Sequence, residues 1–160
     1  MPAPRAFSAA MLAVLLSVSW QPFLTGTGAA AEWRGGRDGL RGQERCRQTR
    51  TQPDRSEMTL ILHRSGRLAM VLQHHRPLRL PLYQRVILQF IFDEGRAPVS
   101  ASIVPTAPGR AVIPLAGALV PGLRTGHTLG VKHRGGIWRF DISGVAAALD
   151  ALQRCRETMP

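Results

Sequence analysis

Lysine is nearly missing from this chain: of 21 basic residues only Lys132 is a lysine, and the rest are arginine. Cysteine is almost as scarce, with Cys46 and Cys155 alone. Without a Cys-x-x-Cys pair, two distant cysteines exclude a dithiol redox motif and make at most half of a zinc site. There is no Gly-x-Ser-x-Gly elbow, and Ser65, Ser100, Ser102 and Ser143 have no recognisable base beside them. Gly135-Gly136 lacks the lysine and spacing of a phosphate-binding loop. Aromatic residues make up only 6% of the chain, and beyond residue 31 no apolar run approaches the ~20 residues of a membrane span. These gaps leave no catalytic residue to name and no cofactor to expect.

The N-terminus supplies a processing signal. Arg5 is followed by an almost wholly apolar stretch from Ala6 to Trp20 and then by the small residues Gly26 to Ala31. Ala29 and Ala31 suit the positions before a cleavage site, which places cleavage before Glu32. Residues 1–31 therefore read as a signal peptide, and about 130 residues remain, enough for one domain. The expected destination is the periplasm or the medium outside the cell. In that oxidising compartment two cysteines admit one intramolecular connectivity, Cys46–Cys155.

Residues 32–55 are rich in glycine and arginine and show no steady apolar period, so they read as a flexible basic lead-in. From residue 56 the texture becomes short apolar runs broken by turn residues, the pattern of a β-rich domain extending to 160. A hairpin is expected between 58–63 and 68–73 around Arg64-Ser65-Gly66-Arg67. Residues 83–92 form the strongest strand, with apolar residues on both faces, which suggests burial on both sides. Further strands are expected at 99–104 and 111–115, a helical turn or strand end at 116–121, and a loop at 122–126. A last hairpin joins 128–133 to 137–141 around Arg134-Gly135-Gly136. Val145, Ala148, Leu149, Leu152 and Cys155 then fall on one helical face, with Ser143 as a candidate N-cap. The fold class is mainly β: a single sandwich-like or curved antiparallel domain with one C-terminal amphipathic helix.

The tail pattern Phe140, Gly144, Ala148, Leu149, Leu152 and Cys155 resembles the C-terminus of the invasion-associated locus B family of small exported alphaproteobacterial proteins. The resemblance covers about a tenth of the chain. It implies an exported β-rich domain with a closing helix and an envelope or host-contact role, and it carries over no catalytic residue.

The formal net charge is +11, reflecting either guanidinium chemistry or the codon bias of a GC-rich genome. Two local clusters are candidate anion-binding sites: His74, His75, Arg76 and Arg79 in a connector, and Lys132, His133 and Arg134 at the last hairpin. Candidate partners are anionic envelope components (lipid head groups, lipopolysaccharide, cell-wall polymers) or an acidic protein surface, with no specific nucleic acid. No metal site is expected. On an extended chain the adjacent His74 and His75 would point to opposite faces, and His127 and His133 would stand about 20 Å apart. The sequence thus points to an exported, non-enzymatic binding protein. An envelope enzyme or a secreted host-interaction factor are the alternatives.

Overall fold

The computed structural model describes residues 32–40, 42–76, 80–134 and 136–159. The expected signal peptide lies outside them. Among the described residues nine strands and two helices follow one another as β1 (Arg34–Asp38), β2 (Arg45–Thr51), β3 (Glu57–His63), β4 (Leu68–Gln73), β5 (Val86–Phe92), β6 (Val99–Ile103), β7 (Arg110–Pro114), α1 (Leu119–Thr125), β8 (Thr128–His133), β9 (Gly136–Asp141) and α2 (Val145–Glu157). They build two antiparallel sheets, one ordered β1-β2-β3-β4-β7 and the other β6-β5-β8-β9. The mainly β, sandwich-like expectation holds. The sheets are interleaved along the chain: β7 returns to the first sheet after β5 and β6 have started the second.

Period-two alternation explains the core. In the first sheet Met58, Leu60 and Leu62 of β3 point inward, and the register continues Leu60 into Met70 and then Ile113 across the sheet. In the second, Phe90 of β5 is aligned with Val131 of β8 and Trp138 of β9, and Phe92 with Leu129 and Phe140. All of these side chains are buried in one continuous cluster with Val145, Ala148, Leu149 and Leu152 of α2. The helix face read from the sequence is therefore the buried one. The β3–β4 hairpin is also as expected, with Gly66 at φ 82° in its turn, a conformation that glycine adopts without steric cost.

Four local expectations are corrected. The stretch 32–55 is not a lead-in, because it contains β1 and β2; their inward positions are Cys46, Gln48 and Arg50, so no apolar alternation announces them. Strand β5 is central but buried on one side only, and Ile87 on its outer side is 66% exposed because no layer of the described residues covers that face. Residues 122–125 belong to α1 rather than to a loop, with Gly126 as its C-cap: Gly122 lets the helix lie directly on Phe92, whose ring would sit 2.5 Å from any added Cβ. Ser143 does not cap α2. The N-cap is Gly144, at φ 78°, and the Ser143 carbonyl instead accepts hydrogen bonds from Trp33 Nε1 and from Arg50.

The disulfide Cys46–Cys155 is present and fastens α2 to β2 across 109 residues of sequence, with the two Cα atoms 6.1 Å apart. Further along β2 the buried Arg50 guanidinium meets the Asp141 carboxylate, and Gln52 exchanges two hydrogen bonds with the Asp141 backbone. Partial burial would raise the Asp141 pKa, but hydrogen bonds from Ser143 and the Arg50 charge hold it below the ordinary carboxylate value. Among the described residues no helix is long and apolar enough to cross a membrane.

Candidate functional site

Among the described residues the two basic clusters read from the sequence line no common groove. His74, His75 and Arg76 follow β4, where the His74 ring stacks on Trp138, an inward residue of β9, with centroids 5.4 Å apart and planes 2° from parallel. Lys132, one position from the inward Val131, lies on the outer side of the same sheet. Arg79 lies outside the described residues.

At the outer face, Lys132 and Arg134 border a groove of about 950 Å³ together with Arg85, Gln84, Gln89, Ile87, Pro81 and His133. Among the described residues no carboxylate lines it. Among the described residues Arg85, Lys132 and Arg134 take part in no ion pair, whereas Arg45, Arg47, Arg50, Arg64, Arg96 and Arg124 each have an acidic partner. The groove combines three cations, two amide side chains and the exposed aliphatic surface of Ile87. That is the chemistry of a site for an anionic group attached to an apolar body. Arg85 had no place in the sequence reading, since it stands apart from both charge runs. The pairing of Gln89 with Lys132 brings the start of β5 to the end of β8.

The connector cluster has a different character. His74 and His75 do not point to opposite faces: their rings stack with centroids 4.7 Å apart. The pleat ends at Gln73, so alternation no longer governs the two histidines. Both face Asp54, whose Oδ2 lies 3.2 Å from His75 Nδ1 and 3.6 Å from His74 Nε2. Ser56 Oγ, fully buried, lies 3.0 Å from Asp54 Oδ2 and 3.3 Å from His75 Nδ1. Burial lowers the His74 pKa, outweighing the Arg76 carbonyl and the Asp54 charge, which favour its protonated form. Burial also raises the Asp54 pKa, but the Ser56 hydrogen bonds and the two imidazoles bring it below its usual value.

Ser, His and Asp together invite comparison with a hydrolytic triad, and the geometry departs from one. In a triad the carboxylate and the nucleophile engage opposite nitrogens of the imidazole. Here both meet Nδ1 of His75, and Ser56 has no exposed surface from which to attack a substrate. Sequence reasoning missed Asp54 and Ser56. The hairpin register was the available signal: pairing 58–63 with 68–73 aligns Glu57 with Gln73 and so brings the residues before 57 toward those after 73.

Comparison with solved structures finds the crystal structure of invasion associated protein B from Bartonella henselae. It aligns with a TM-score of 0.53 at 17% identity, over 79% of this chain and 95% of that one. What the two share is the fold. No protein-family model matches the sequence. No curated protein matches it at a significant level either. The disulfide and this fold are compatible with an exported protein.

Proposed function

We propose that the protein is an exported, non-enzymatic binding protein of the bacterial envelope, related to the invasion-associated locus B family, that holds anionic amphiphiles in the groove beside Arg85, Lys132 and Arg134. The observation that carries this reading is the concentration of three cations without ion-pair partners around an exposed isoleucine, in a groove with no acidic lining. Phosphate groups suit the guanidinium and ammonium donors, and Ile87 suits an acyl or other apolar portion. The non-enzymatic part of the proposal is supported by the buried Ser56 and by the wrong-sided carboxylate of its cluster. The periplasm or the exterior follows from reading residues 1–31 as a cleaved signal. A host-contact role would rest on what the name of the Bartonella protein says of that protein.

The test is co-sedimentation of the oxidised protein with phosphatidylglycerol–phosphatidylcholine vesicles across a salt series. Each basic residue near an anionic surface contributes about 1 kcal/mol. Replacing Arg85, Lys132 and Arg134 with Gln should therefore weaken binding by about a hundredfold or more. A charge-matched control replaces Arg34, Arg67 and Arg110, which lie on other strands or turns. Equal loss in both variants would reduce the groove to generic charge and sink the proposal.

A further inference from the structure

Beyond the groove, and independent of it, we propose that Asp54, His74 and His75 bind one borderline divalent cation of the zinc and copper class. The three donor atoms come from two chain segments held by the β3–β4 hairpin, and no two of them are more than 4.8 Å apart. A tetrahedral ion with bonds of 2.0–2.2 Å sets its ligand atoms about 3.3 Å apart. Asp54 Oδ2 already stands 3.2 Å from His75 Nδ1 and 3.6 Å from His74 Nε2. The ring that has to turn to bring the set closer, His75, is half-exposed and belongs to no strand.

The surroundings of the three residues support a cation. His74 Nδ1 lies 3.0 Å from the Arg76 carbonyl oxygen and 3.1 Å from the Arg76 N–H. The two contacts belong to different tautomers: a bare Nδ1 accepts from the Arg76 N–H, whereas a protonated Nδ1 donates to the Arg76 carbonyl and leaves Nε2 bare toward Asp54, and metal binding selects the second. A ligating histidine commonly has its second nitrogen held in this way. Trp138 stacks flat on the same ring and donates its own Nε1–H to the Arg76 carbonyl at 3.0 Å, so the ring plane is fixed from behind. Ser56 hydrogen-bonds the carboxylate through both its backbone N–H and its hydroxyl, which orients Oδ2. Two imidazoles and one carboxylate select zinc or copper over calcium or magnesium, which prefer all-oxygen sets. Three protein ligands leave at least one position for water or an outside donor.

Zinc chloride titrated into the oxidised protein by isothermal calorimetry should give one site per chain. His75→Ala and Asp54→Asn should each weaken it at least about tenfold. Asparagine keeps an acceptor for Ser56, so that variant tests coordination rather than turn stability. His63→Ala and His133→Ala should leave binding unchanged. In a Trp20→Phe, Trp33→Phe background, cupric ion should quench the fluorescence of Trp138, and the quenching should disappear in His75→Ala. No zinc binding below about 1 mM would overturn the site. So would affinity that survives Asp54→Asn and His75→Ala together.

Discussion

In the five-stranded sheet Arg45, Arg47 and Arg50 each meet a carboxylate, whereas beside the outer face of the four-stranded sheet Arg85, Lys132 and Arg134 meet none among the described residues. The first sheet is also the one that α2 covers and the disulfide fastens, while the second leaves Ile87 and Ile137 open to solvent. The same residue type therefore does two jobs. Around β2 arginine closes the fold, and Arg50 is retained in a buried position by Asp141 and by the Ser143 carbonyl. At the groove it has no acidic partner among the described residues, and its charge is open to a ligand from outside.

Substitutions should separate the two regions by magnitude. The largest effect is expected from replacing Cys46 and Cys155 with Ser. A loop of this length is worth up to about 4.7 kcal/mol in the chain-entropy account, and denaturant melts should register a loss of several kcal/mol. Leu152→Ala, which empties a buried position on α2, should cost about 3 kcal/mol in the same assay. Asp141→Asn leaves the Arg50 guanidinium buried without its counter-charge, and about 2 kcal/mol is expected once the partial exposure of Asp141 is taken into account. Because the folded-state pKa of Asp141 is depressed, its stabilisation is fully present above the unfolded value near 4. It is lost as pH falls through the lower folded value, so the gap between wild type and Asp141→Asn should close in acid melts. Smallest of all, the groove triple variant should change stability by less than about 0.5 kcal/mol while weakening vesicle binding about a hundredfold or more. A large stability loss in that variant would erase the distinction between the two regions.

What the sequence made legible was local. The α2 face, the turn at Gly66 and the cysteine pairing each follow from periodicity, a single glycine or parity. Strand β2 stayed hidden because two of its three inward residues are polar and become interior only through partners far along the chain: Arg50 through Asp141, and Gln48 through its alignment with Leu60. The histidine pair was misjudged for a related reason. Alternation holds only where a ladder fixes the pleat, and His74 lies one residue past its end. The groove needed the β5–β8 pairing to bring Arg85 toward Lys132, a contact that no local pattern encodes.

The placement of β7 has a consequence for how the chain reaches its native state. Because β7 completes the first sheet only after β5 and β6 have laid down the second, neither sheet is a contiguous length of sequence that could be finished alone. The chain must commit both at once, closing long loops before most contacts exist to compensate the lost entropy. Folding should accordingly be slow for a domain of this size and all-or-none, with one unfolding transition shared by both sheets. A break in the backbone between β6 and β7 should release the two layers together, leaving neither as a surviving half.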